Sequence, residues 1–166
     1  MKNLTNIVEM QEKHQERVKE LLVDLQKYVM EIDKYNLNIL SEEYREKYFN
    51  YLLDDCKAKN GKIFVYESGD DVSGLIAGFV EIYSQRDYLD YSCPPKGIVA
   101  ELIVDKNSRS AGVGAMLLEK IEQYFKSIGC EYVQMDVFAY NENAKRFYAK
   151  HGYEDRMVTM FKKIES

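Results

Sequence analysis

At 166 residues, with 46% hydrophobic and 13% aromatic side chains, the chain can bury a real core and has the composition of one folded domain, residues 1–166. A net charge of −5 argues against nucleic acid as a partner, because phosphate backbones select basic surfaces. No run approaches the roughly 18 apolar residues of a membrane span and no apolar signal core opens the chain, so a cytoplasmic protein without a membrane partner is expected. Cys56, Cys93 and Cys130 are odd in number and widely spaced, which fits free thiols rather than a disulfide framework or a metal site.

A short first strand is expected around Asn6 to Met10. Val18, Leu21, Leu22, Leu25, Val29 and Ile32 then recur three or four apart, the pattern of an amphipathic helix. Ser41, followed by Glu42 and Glu43, reads as the N-cap of a second helix running to about Lys59. Tyr44, Tyr48, Tyr51 and Leu52 share one side of it, and the rings either pack on a sheet or line a pocket. Asn60-Gly61 marks a turn, after which Lys62 to Glu67 and Leu75 to Tyr83 read as an antiparallel hairpin joined by Ser68-Gly69-Asp70-Asp71. Ser84 to Lys96 is long for a loop in so small a domain, and Asp87 or Asp90 within it could attract an ammonium group.

Gly97 to Asp105 is the next strand, and Arg109-Ser110-Ala111-Gly112-Val113-Gly114 follows it directly. From Val113 the apolar positions Met116, Leu117, Ile121, Phe125 and Ile128 keep helical spacing until Gly129 offers a left-handed stop. A glycine-rich turn at a helix start leaves backbone N–H groups unpartnered at the positive end of the helix dipole, which is an anion site. Arg109 could add a charge-assisted bond there. A P-loop would need Gly-Lys-Ser/Thr, and a dinucleotide fingerprint a third glycine with a later acidic residue; neither is present. Glu131 to Phe138 reads as a further strand, Asn141 as the cap of a last helix with Lys145, Arg146 and Lys150 on a basic face, Gly152 as its stop, and Met157 to Ile164 as a final strand.

Strand, R-x-x-G-x-G, amphipathic helix, Gly-Cys, strand, then N-x-x-A-x-x-F-Y-x-x-x-G-Y resembles the acyl-CoA-binding core of the GNAT acetyltransferase superfamily. Here the second part is Asn141, Ala144, Phe147, Tyr148, Gly152 and Tyr153, and the resemblance covers roughly residues 98 to 164. It implies a mixed α/β (α+β) fold with a central, mostly antiparallel twisted sheet of six to seven strands and helices on both faces.

By this resemblance the co-substrate is acetyl-CoA. Arg109, Ser110, Ala111, Gly112, Val113 and Gly114 would hold its pyrophosphate, and the backbone of Leu102, Ile103 and Val104 its pantetheine arm, with Asn141, Lys145 and Tyr148 completing the site. Tyr148 would protonate the leaving sulfur, and Glu101 would take the proton of the attacking amine through water, with Asp136 or water alone as alternatives. The implied reaction is direct transfer in a ternary complex to a primary amine of a small molecule or peptide. Homodimers are common in the family. The competing expectation is a CoA-binding or sensory protein that keeps the fold without turnover.

Overall fold

A computed structural model describes residues 6–164. Residues up to Asp136 form one compact unit, and those from Val137 a second.

Among the described residues the first unit holds a five-stranded sheet and three α-helices. Its strands β1 (Ile7–Glu9), β2 (Lys62–Ser68), β3 (Asp71–Val80), β4 (Lys96–Val104) and β5 (Tyr132–Met135) lie in the order β1-β2-β3-β4-β5. The first four pair antiparallel and β5 runs parallel to β4. The parallel step needs a crossover, and α3 (Val113–Ser127) supplies it. Helices α1 (Gln15–Ile32) and α2 (Tyr44–Ala58) both fall between β1 and β2.

Alternation along the strands assigns the two faces. Ile63, Val65, Leu75, Ala77 and Ile103 join Val18, Leu21 and Leu22 of α1 and Phe49, Leu52 and Cys56 of α2 in one buried cluster. Between them lie Phe64, Gly74, Ile76 and Gly78 on the opposite face, where Tyr124 meets Phe64 edge-on and Val113, Leu117 and Phe125 of α3 press on the glycines. The helix sits so close that a Cβ on Gly97 would come within 2.4 Å of the Phe125 ring.

Several local expectations shift. Ser41 does not cap α2: the N-cap is Glu43, without a side-chain bond, and the Ser41 carbonyl closes a turn onto Tyr44 N–H at 3.1 Å. The hairpin is tighter than expected, with Ser68 opposite Asp71 and Gly69 in the left-handed region at φ 65°. Among the described residues no helix is long and apolar enough to cross a membrane.

The second unit contains α4 (Glu142–Ala149). The Asn141 side chain accepts from Ala144 N–H at 3.2 Å, the expected cap, and Gly152 lies at φ 85° beyond the helix end. Two strand expectations are corrected. The strand expected over Glu131 to Phe138 is only the four residues of β5, and residues 157–164 pair with no strand among the described residues. Met157, Met160 and Ile164 are 86%, 87% and 87% exposed. Their even spacing suits a strand, but alternation makes one only where a neighbouring edge offers its N–H and C=O groups. Among the described residues the sheet therefore has five strands rather than six or seven.

Candidate active site

β4 carries Glu101 at a break in its own regularity. Ala77 of β3 faces Glu101 but Gly78 faces Val99, so Ala100 is an extra residue and the strand bulges there. In an unbroken strand Glu101 would share the face of Val99, the side on which Gly78 lies against Phe125. The bulge turns Ala100 and Glu101 both toward the α1–α2 face, the side of Ala77 and Ile103. A carboxylate that periodicity would have aimed at α3 is delivered to α2 instead.

There the Tyr48 phenol donates to Glu101 Oε1. Tyr48 stacks on Tyr44 one helical turn earlier, with centroids 4.8 Å apart and planes 10° from parallel. Burial pushes the Glu101 carboxyl above the usual range, while the Tyr48 hydrogen bond pulls the other way and only partly offsets it. Burial and the nearby Glu101 charge both push the two phenols up, so each is a donor and never a phenolate at neutral pH. Tyr51, of the same helix, is 66% exposed and takes no part.

The same point on β4 is where the sheet opens. Pairing with β5 ends at Val99 and Met135, so among the described strands none pairs with the second edge of β4 from Ala100 to Val104. The backbone of Leu102, Ile103 and Val104 is thus bonded through β3 on one side only, which leaves polar groups for an extended amide chain. Asp136, the alternative base, is exposed just past the end of β5.

Beyond β4 the chain makes a single 3-10 turn over Lys106–Ser108, held by Asp105, whose side chain accepts from Asn107 N–H at 2.9 Å. Arg17 of α1 clamps the same carboxylate at 2.5 Å and donates to the Val72 carbonyl at 3.2 Å. The Asn107 bond, with Arg17, holds the Asp105 carboxyl below its ordinary range. Arg109 donates to the Val104 carbonyl at 3.2 Å, and Ser110 is left-handed at φ 68°. Gly112, at φ 81°, is the N-cap of α3, and the first intrahelical bond is Met116 N–H to Gly112 carbonyl at 3.1 Å. The N–H groups of Val113, Gly114 and Ala115 therefore have no acceptor within the helix. A Cβ on Gly112 would meet nothing within 4 Å, so the approach to these groups is open. Ser110, Ala111 and Gly112 are exposed. Donors, dipole and open approach fit a pyrophosphate.

In the second unit, Asn141, Lys145 and Tyr148 recur at helical spacing on α4. Lys145 pairs with Asp155 at 3.2 Å. Tyr148 is held between Phe147 and Tyr153, with centroids 5.2 and 5.8 Å away. The site residues read from the sequence thus form two groups, one along β4 and the following loop, the other on α4.

Two features escaped the sequence. Tyr48 lies 53 residues from Glu101, and only the fold joins them. The Arg17–Asp105 clamp spans 88 residues. Asp87, one of the two loop carboxylates considered for an ammonium, accepts from Ser84 Oγ at 2.8 Å and Ser84 N–H at 2.6 Å, which lowers its carboxyl and ties it to its own loop.

The profile of the acetyltransferase (GNAT) family matches residues 27–153, and the chain belongs to that family. It is 39% identical over 89 residues to an uncharacterized N-acetyltransferase of Methanocaldococcus jannaschii, a match covering 53% of this chain and 52% of that protein. It is 28% identical over 93 residues to the glucosamine 6-phosphate N-acetyltransferase of Arabidopsis thaliana, covering 56% of this chain and 60% of that one. The chain thus spans little more than half the length of these relatives. The crystal structure of a mutant Bacillus halodurans protein shares the fold, with TM-score 0.82, 17% identity and coverage of 96% of this chain and 99% of that one.

Proposed function

We propose that residues 1–166 act as a single N-acetyltransferase domain that moves an acetyl group from acetyl-CoA to a primary amine by direct transfer. The observation that carries this reading is the coincidence on β4 of the bulge, the open edge and a desolvated carboxylate, one strand ahead of a helix N-terminus built for an anion. The loop from Arg109 to Gly114 would hold the pyrophosphate, and the edge of Leu102, Ile103 and Val104 the pantetheine amides, with Asn141 and Lys145 adding contacts from α4. Acetyl-CoA supplies an activated acetyl thioester when bound.

The proton work falls to the chain. An alkylammonium with pKa near ~10.4 has to lose a proton before it can attack, and a desolvated carboxylate is a stronger base than an exposed one. Glu101 is the base in this reading. Tyr148 is the acid, because a phenol remains protonated at neutral pH and can donate to a leaving thiolate. Holding amine and thioester together supplies much of the remaining rate enhancement. The acceptor is a small molecule or peptide amine, in line with the amino sugar phosphate named for the Arabidopsis relative. Tyr148→Phe is expected to lower the acetylation rate about 10²-fold while acetyl-CoA affinity, read by calorimetry, stays near wild type. Equal rates would remove the acid role.

A further inference from the structure

We infer that Tyr48 is the positioning residue of Glu101, fixing which oxygen of the carboxylate works as the base; this rests on the acetyl-transfer reading above. The Tyr48 hydroxyl occupies Oε1, so proton acceptance is left to Oε2. The phenol is held in turn by its stack on Tyr44, four residues earlier on the same helix. A carboxylate with one oxygen pinned by a rigid donor loses its rotational freedom, and a base held in one orientation needs no reorganisation at the moment of proton transfer.

The surroundings leave the control of Glu101 to α2. Among the described residues Tyr48 acts on it through its hydrogen bond, while the Glu101 charge in turn acts on Tyr48 and Tyr44, and Asp55 acts on Tyr48. β3 faces Glu101 with Ala77, and the buried side of α1 is Val18, Leu21 and Leu22. Among the described residues no cation bears on its proton affinity. A single neutral donor thus opposes the desolvation, and because that donor favours the charged form, removing it raises the proton affinity of Glu101.

The test is a carboxyl titration by ¹³C NMR of the full chain, with the Glu101 signal identified by its loss in Glu101→Gln. In Tyr48→Phe the Glu101 midpoint is expected to move to higher pH, and the acidic limb of the kcat/KM profile to move with it. At neutral pH kcat falls about tenfold with the acetyl-CoA KM unchanged, the signature of a lost charge-assisted hydrogen bond in the chemical step. Tyr51→Phe, an exposed ring on the same helix, leaves both midpoints in place. A Glu101 midpoint in Tyr48→Phe identical to wild type overturns the inference. If that variant does not fold, the wild-type protein still decides: the Tyr48 ring carbon bearing the hydroxyl must titrate with the Glu101 midpoint, and a flat response overturns the pairing. Absence of turnover with every amine would defeat the acetyl-transfer reading, and the base role of Glu101 with it, while the titration independently upholds or overturns the Tyr48–Glu101 pair.

Discussion

Gly112 offers a perturbation whose effects on stability and on binding should run in opposite order. The residue sits at φ 81° with nothing within 4 Å of where a Cβ would lie, so a methyl there has open space. Alanine incurs only the left-handed backbone penalty, about 1–2 kcal/mol, which for a domain of this size lowers Tm by about 2–8 °C. Aspartate tolerates that conformation better than alanine and, as the N-cap of α3, can accept from an early helix N–H, so it should cost less stability. Binding should fall the other way. The alanine methyl stands in the open approach to the unpartnered N–H groups, and losing one charge-assisted bond of about 1.5–3 kcal/mol weakens acetyl-CoA about tenfold or more. Aspartate adds a like charge; at about 4 Å and an effective dielectric near 20 the repulsion is about 4 kcal/mol, roughly another thousandfold. Thermal melts and calorimetric titration with acetyl-CoA read the two orders. Wild-type affinity in Gly112→Asp, or affinity losses that simply track losses in Tm, would refute the anion assignment of this loop.

Other expected outcomes follow from the carboxylates and the close α3 packing. Glu101 has a raised carboxyl, so the native state holds its proton more tightly than the unfolded chain, and stability falls as pH rises from the ordinary carboxylate range through the raised value. Glu101→Gln keeps an acceptor for Tyr48 and escapes that loss; it should melt higher than wild type at pH 8, converge with it in acid, and lose acetylation activity. Asp33 is the opposite case: Asn38 bonds it through side chain and backbone, with further backbone bonds from Tyr35 and Leu37, and its carboxyl is lowered to about 2. Its contribution is present above the ordinary carboxylate range and lost as pH falls toward about 2, so the Tm deficit of Asp33→Ala should be full at pH 7 and shrink in acid melts. Gly97→Ala puts a methyl into the Phe125 ring and should cost about 1–3 kcal/mol in denaturant titrations, which Gly97→Ala paired with Phe125→Leu partly recovers.

What could be read from the sequence was local. A glycine-rich turn before an apolar periodic run predicts a helix start, and Gly112 stands at one; an asparagine three residues ahead of an N–H it can reach predicts a cap, and Asn141 is one. The β-α order around the anion loop and its family resemblance followed from the same short-range signals. Glu101 was legible as a residue on a strand but not in its aim, because period-two reasoning cannot foresee a bulge and Ala100 reverses the face. Tyr48 was one of three tyrosines on a helix side, and its selection depends on that reversal. Ser41 failed as a cap because the helix begins only at Tyr44, and the alternation of Met157 to Ile164 marked a strand that has no partner edge. Apart from the local shift at Ser41, these misses concern contacts between distant segments, where propensity gives way to packing.

The central claim is that the protein moves an acetyl group from acetyl-CoA to an amine. Its most direct test is release of free CoA thiol by the purified protein, with and without polyamines, amino sugars and their phosphates, aminoglycosides, amino acids and short peptides. Amine-dependent release that Glu101→Gln and Tyr148→Phe both suppress is the expected result. Acetyl-CoA binding with no amine-dependent release, or release that both variants leave untouched, would contradict it.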